Sequence, residues 1–484
     1  MPGAGADVPS GVLHPIASYN NGMLAQLASG HLCQYEYSEA QKNAFHQGYM
    51  TGINDSMVLL GTTIAMCAFC LTLLVPSLYL PVREVVQPWA IARVKAEHSW
   101  LMWIQKFHHP VVDYWFQFIG LQCGVGFYIT ALPFLFWIGE MRLARQLTMF
   151  MATCIYVGNA LKDTICSPRP DWTKGVKHRT AEDGDTEYGI PSTHTINTIA
   201  MYAYLFHHIN YYGVDGVTRH PQGRYLYENM DDFKLIALLG MTIAWCSIVA
   251  YSRLYLGMHS PIDVISGVVV AGSLVVFWVS CEDFLDAWMT QGWNVPLLQF
   301  LFNVALVFAY PKPEKKTPSY TFVVYFLGTS TGVSAGVWAS YERFHSPAGV
   351  ARAHAARGSL FTTAGILWSV RRFLVGIVIV LACRQIANVL AKFLLPRIAA
   401  ALGIEASDHD AIRNQERARA GTAKKSDDNS GSSDGSKSTS SDPLPPLPEI
   451  KGYNSNTGVR VLTYTAVGWA VTLLCPHAFD YLAI

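Results

Sequence analysis

Long apolar stretches recur along this chain so closely that little room is left for a water-exposed domain. They run at roughly 56–80, 114–138, 147–161, 194–212, 234–252, 262–280, 294–310, 320–341, 373–395 and 460–476. A helix needs about 20 predominantly apolar residues to cross the hydrocarbon core of a bilayer. Most of the stretches qualify, although 147–161 and 294–310 are short. Spanning strands would need a period-two alternation, which is absent. The pattern predicts an all-α fold, a polytopic membrane helical bundle of about nine or ten spans. Composition agrees: 51% of the 484 residues are hydrophobic and 14% charged, against about 25% charged in soluble domains. With 35 Lys+Arg against 34 Asp+Glu, the chain has no basic excess of the kind a nucleic-acid partner requires.

Residues 1–54 read as a polar N-terminal tail. Cleavable secretion signals start near the N-terminus, whereas the first apolar run starts only near Asp55, so a retained anchor is expected. Residues 55–290 hold that first span, an interfacial segment with Trp89, Arg93, Lys95, His98, Trp100, Trp103 and Lys106, and the chemically richest motifs. Indole rings and long cations both favour the headgroup layer. Additional spans occupy 291–404, where Gly328, Ser330, Gly332, Ser334 and Gly336 suit close helix packing. Residues 405–457 are rich in Ser, Asp, Gly, Lys and Pro and read as a disordered polar loop. The last span and the C-terminus follow at 458–484. Ten cysteines are scattered, several inside apolar runs, with no pair of CxxC motifs at zinc spacing. They read as small packing residues, and no metal ligand set or cofactor is expected.

Three short motifs sit at the ends of apolar runs: Lys162-x6-Arg169-Pro170, Pro191-Ser192-Thr193-His194 and Ser252-Arg253-x5-His259-x3-Asp263. A phosphate monoester is a compact anion with several acceptor oxygens. Guanidinium offers it a planar fork and ammonium a mobile point charge, so Lys162, Arg169 and Arg253 are candidate phosphate ligands. Each cation taken alone could instead snorkel to lipid headgroups. Pro168 and Pro170 stiffen the loop that presents Arg169. Pro191-Ser192-Thr193 opens an apolar run as a helix start, where free N–H groups and two hydroxyls could receive an anion. Ser192 could equally serve as an ordinary N-cap, and the two roles can coexist. Ser252 is a further candidate contact.

His259 precedes Asp263 by one helical turn, so the carboxylate can fix the ring tautomer and leave the other nitrogen as a nucleophile. His194 is then the natural proton donor to a leaving alkoxide and later the base that activates water. A single histidine at a helix end is more often a satisfied cap or core residue. Here that reading must hold for both histidines and for three cations together. The span count offers an independent check: an even number of crossings separates the first two motifs from the third, so all three can meet on one membrane face.

These residues resemble the signature of the type 2 phosphatidic acid phosphatase superfamily, which also includes glucose-6-phosphatase and the vanadium haloperoxidases. The match covers the whole signature in order over roughly 100 residues. The resemblance implies a PAP2-type core with Lys162, Arg169 and Arg253 on phosphate, Ser192 and Thr193 assisting, His194 as acid, His259 as nucleophile and Asp263 orienting it. Most of the superfamily has glycine where this chain has Thr193. The Pro-Ser-Thr-His version, with Lys162-Asp163-x-x-Cys166-x-Pro168-Arg169-Pro170, is similar to the sphingosine-1-phosphate phosphatase branch. Phe107 to Gly139 and the extra spans after the third motif are similar to it too. That branch implies a metal-independent hydrolase for a membrane lipid substrate, in the endoplasmic reticulum with a luminal site.

Two alternatives stay open on the sequence. One is a related phosphatase for phosphatidate, polyprenyl diphosphate or glucose 6-phosphate, and the other is a non-catalytic transporter that retains a phosphate site. Charge orients the chain poorly. Arg142 and Arg145, with Arg343, Arg352 and Arg357, favour a cytosolic face opposite the site, whereas Lys312, Lys315 and Lys316 fall on the site side and disagree.

Overall fold

The computed structural model describes residues 68, 75–122, 124–170, 176, 187–212, 232–291, 294–315, 317–403, 406–407 and 453–484. The N-terminal tail and most of the first apolar run lie outside these residues, as does nearly all of the 405–457 stretch. The order of helices is α1 (Pro76–Ala96), α2 (His98–Ile104), α3 (Pro110–Leu121), α4 (Val125–Trp137), α5 (Met141–Ile165), α6 (Thr193–Tyr212), α7 (Asp232–Tyr255), α8 (Pro261–Gln291), α9 (Val295–Phe308), α10 (Ser319–Ser340), α11 (Pro347–Arg357), α12 (Thr363–Ala401), α13 (Ser455–Trp469) and α14 (Cys475–Leu482). The described strand content is one parallel two-residue pair, Ala406–Ser407 with Tyr453–Asn454. The fold is an all-α polytopic bundle.

Helix α5 is the axis of the molecule. Of its 25 residues, 20 are buried, and Phe150, Met151, Cys154 and Ile155 meet Ile196, Ala200 and Tyr204 of α6, Leu274 and Trp278 of α8, and Val323 and Leu327 of α10. The Phe150 ring stacks on Trp278 at 5.0 Å. This position explains a departure from the expected span count. Among the described residues five helices are long and apolar enough to cross a membrane, or six if the bent pair α3–α4 is one span. Helices α5 and α6 carry too many polar side chains to pass that test, because protein rather than lipid surrounds them. Helix α9 is apolar but short. By contrast α7 and α12 expose Phe233, Ile236, Ile243, Leu374 and Val378 on their outer faces, as lipid-facing helices do.

The small-residue run packs as expected. A Cβ on Gly332 would collide with the backbones of Thr465 and Trp469, one on Gly336 with Thr472, and one on Gly328 would lie 3.0 Å from the Val461 carbonyl. Helices α10 and α13 therefore cross with their backbones nearly in contact. Near α1 and α2, Trp89, Trp100, Trp103 and Phe107 stand exposed.

The end of the bundle away from the motifs holds an ion-pair network. Arg142 donates to Asp283 at 2.7 Å and Asp286 at 2.9 Å, and Arg145 Nε to Asp286 at 3.0 Å. Glu282 accepts from the Tyr204 hydroxyl at 2.6 Å and pairs with His207 at 2.8 Å. Arg142 and Arg145 thus sit in α5 on protein carboxylates rather than in a headgroup-facing loop. Arg343 likewise pairs with Asp480, and Arg357 with Glu140. Cations held by carboxylates say little about orientation.

Candidate active site

Lys162 follows Arg145 along α5 by about 26 Å of helix, which sets the motifs at the opposite end of the bundle from the ion-pair network. Helix α5 stops at Cys166, which takes a left-handed conformation at φ 54°. Its N–H donates to the Lys162 carbonyl at 3.0 Å. The neighbouring C-terminal carbonyls are capped from outside: Arg83 Nε donates to Thr164 O at 2.7 Å and Arg83 Nη2 to Asp163 O at 2.8 Å. The chain then leaves through Pro168 and Pro170 and presents Arg169.

The second and third motifs are tied together by main chain. Ser192 N–H donates to the Asp263 carbonyl at 2.9 Å, and Gly189 N–H to Ser167 O at 2.8 Å. Gly267 lies so close to α6 that a Cβ would sit 3.0 Å from Ser192 O. Ser192 is fully buried and its hydroxyl accepts from Thr195 Oγ1 at 3.1 Å, so it works as a local helix-start residue. The start of α8 is held from afar, with Ile262 N–H donating to Glu97 Oε2 at 2.9 Å.

Lys162 is buried. Its Nζ donates to Glu187 Oε2 at 3.1 Å and to Thr193 Oγ1 at 3.3 Å, while Arg169 Nη2 donates to the same Glu187 oxygen at 2.8 Å. The methyl of Thr193 packs toward Gly158, where an added Cβ would be 3.2 Å from it. Arg253 is buried, takes its orientation partly from Ser252 Oγ at 3.2 Å, and rests its guanidinium on Gly120. Ser252 itself donates to Val249 O at 2.6 Å, so its hydroxyl is occupied within the helix and by Arg253.

His259 lies in the turn between α7 and α8. Its Nδ1 is 3.3 Å from Asp263 Oδ2, which also accepts from Ser260 N–H at 2.7 Å. Burial, and then the nearby charges of Arg169, Lys162, His194 and Arg253, hold the ring well below the usual histidine range. It is neutral at physiological pH, with Nε2 free of a proton in the tautomer that donates Nδ1–H to Asp263. His194, on the first turn of α6, feels Arg253, Lys162, Glu187 and Arg169. All nine residues read from the motifs therefore gather at one end of the bundle.

Sequence reasoning missed Glu187. Burial alone would raise its pKa, but Lys162 and Arg169 override that and hold it at about 2. Glu187 is the last of four acids in six residues, with Glu182, Asp183 and Asp185 before it, and nothing in the local pattern singles it out. Also missed was the support from the α9–α10 connection. Tyr310 OH donates to Asp163 Oδ2 at 2.7 Å, Thr317 Oγ1 to Asp163 Oδ2 at 3.0 Å, and Lys315 N–H to Tyr188 OH at 3.0 Å. The connection from α9 to α10 thus packs under the site through Tyr310, Lys315 and Thr317.

Residues 143–286 match the family model described as PAP2 superfamily. The chain is 32% identical to the lipid phosphate phosphatase delta of Arabidopsis thaliana, over 89% of this chain and 97% of that protein. The chain belongs to the PAP2 superfamily. Its place in the sphingosine-1-phosphate phosphatase branch follows from further relatives. A dihydrosphingosine 1-phosphate phosphatase of Schizosaccharomyces pombe is 26% identical over 83% of this chain and 91% of its own length. Sphingosine-1-phosphate phosphatase 2 of Homo sapiens is 28% identical over 57% and 64%. No solved structure matches the chain. This PAP2 protein is a multi-pass membrane phosphoric monoester hydrolase. The residues that brace its site, Arg83, Glu97, Tyr310 and Thr317, all fall outside the part that matches the family model.

Proposed function

We propose that this PAP2 protein hydrolyses sphingosine 1-phosphate or a related long-chain base phosphate to the free base and phosphate, through a phosphohistidine on His259. The observation that carries the reading is a buried histidine set on the Asp263 carboxylate and gathered with three cations at one end of the bundle. Lys162, Arg169 and Arg253 take the phosphate oxygens, with the start of α6 at Ser192 and Thr193 adding donors. His259 Nε2 attacks phosphorus and the ester P–O bond breaks. Its electron pair goes to the leaving oxygen, which takes a proton from His194. The phosphate dianion lies next to His194 and favours the protonated form that this step needs. His194 then accepts a proton from water as the water oxygen attacks phosphorus. The P–N bond breaks, and phosphate and neutral His259 are restored. Asp263 holds the ring throughout and stabilises its charge while the P–N bond exists. No step calls for a metal.

The names of the relatives support a sphingoid substrate, as does a site at the end of a lipid-embedded bundle, which a single-chain lipid can reach with its tail still among helices. By the same resemblance the protein resides in the endoplasmic reticulum with its site facing the lumen. The test is phosphate release from a panel of lipid phosphates by wild type and His259→Ala, with and without EDTA. The expected result is the highest kcat/KM on long-chain base phosphates, indifference to EDTA, and at least about a thousandfold loss in the variant. Full activity in His259→Ala, or abolition by EDTA, would refute the mechanism.

A further inference from the structure

Glu187 pairs with two of the cations proposed to hold the substrate's phosphate. Among the described residues it is the one carboxylate within ion-pair distance of Lys162 or Arg169, and a single oxygen, Oε2, serves both. It also lies on the open side of those cations: its side chain is 20% exposed, against 1% for Lys162 and 8% for Arg169. The backbone around it is pinned. Gly189 N–H donates to Ser167 O at 2.8 Å, the Tyr188 hydroxyl accepts from Lys315 N–H at 3.0 Å, and Lys315 Nζ reaches Glu187 O at 3.5 Å. The carboxylate is therefore delivered to the mouth of the phosphate site.

For a plain phosphate monoester this arrangement is unfavourable. The incoming dianion must take Lys162 and Arg169 from Glu187 and then sit beside a displaced carboxylate of like charge. A substrate that brings its own cation reverses the balance. Long-chain base phosphates do so, because an ammonium group sits on the carbon next to the ester carbon. Phosphatidate, polyprenyl diphosphates and glucose 6-phosphate have no such group.

We infer that Glu187 is the specificity residue that reads the substrate's ammonium group: phosphate takes Lys162 and Arg169, and the released carboxylate pairs with the amine. The inference rests on the substrate reading above and gives it a physical cause. In the resting protein the same carboxylate keeps two buried cations paired, so one residue neutralises the empty site and selects what fills it.

The experiment uses the purified full-length protein with a long-chain base phosphate, its N-acetylated counterpart and phosphatidate. Wild-type rates on the base phosphate against phosphatidate judge the substrate reading. The ratio of kcat/KM for the free amine to that for the N-acetyl compound judges Glu187. A charge-assisted hydrogen bond lost in Glu187→Gln should cut that ratio roughly ten- to hundredfold, mainly through KM. A cooperative thermal melt of Glu187→Gln, read separately, shows that the variant is folded. Glu187→Asp should keep part of the preference. Equal changes on both substrates, or loss of activity on both, would assign Glu187 to holding the cations alone and overturn the inference.

Discussion

Tyr310→Phe tests whether the α9–α10 connection truly braces the catalytic end of α5. The hydroxyl donates to Asp163 Oδ2 at 2.7 Å, and both residues are buried. The substitution keeps the ring and its edge-on contact with Tyr156 at 6.1 Å, so packing is conserved and only the hydrogen bond goes. Asp163 retains Thr317 as a donor at 3.0 Å, so its carboxylate is left short of one partner rather than bare. A hydrogen bond to a charged group contributes about 1.5–3 kcal/mol. At about 2 °C per kcal/mol, the lower end of the usual range and suited to a large chain, the melting temperature should fall by about 3–6 °C. The assay is thermal unfolding of the detergent-solubilised protein, run as a cycle with Asp163→Asn and the double variant. Asp163 adjoins Lys162, so KM should rise in the same series while His259 chemistry, and hence kcat, changes less. A variant that melts within about 1 °C of wild type, with no coupling in the cycle, would refute the brace.

Gly332→Leu should destabilise the protein by about 3 kcal/mol or more, because the added side chain meets the backbones of Thr465 and Trp469, which cannot yield like a side chain; a wild-type melting curve would contradict the close crossing of α10 and α13. The Glu187 ion pairs predict an acid-side dependence. Its folded pKa of about 2 lies below the ordinary value of 4.5, so its stabilisation is fully present above that ordinary value and is lost as pH falls toward 2. Denaturant titrations of wild type and Glu187→Gln should therefore differ by a constant amount above pH 4.5 and converge below it; a difference that grows on acidification would reverse the sign of the argument.

Much of the site was legible in the sequence because reactive groups are costly in an apolar setting. Many charged residues border the apolar runs, but the spacing of Lys162, Arg169, Arg253, His259 and Asp263 matched one chemistry. The i, i+4 step from His259 to Asp263 follows from helix geometry alone, and the two groups do meet. The even number of expected crossings allowed all three motifs to meet on one face without any tertiary information.

What the sequence determined by itself was the class: helices in lipid, a phosphatase family, and the residues proposed to perform the chemistry. Local periodicity and motif spacing encode these, since each depends on neighbours in the chain. Only the tertiary structure decided which cations are spoken for. Glu187 reaches Lys162 across 25 residues, Tyr310 reaches Asp163 across 147, and Asp286 reaches Arg145 across 141. Such pairs are fixed by how helices pack, and no local pattern announces them. That is why Arg142 and Arg145 looked like topology markers until their carboxylates were in view, and why the acid at the mouth of the phosphate site went unread.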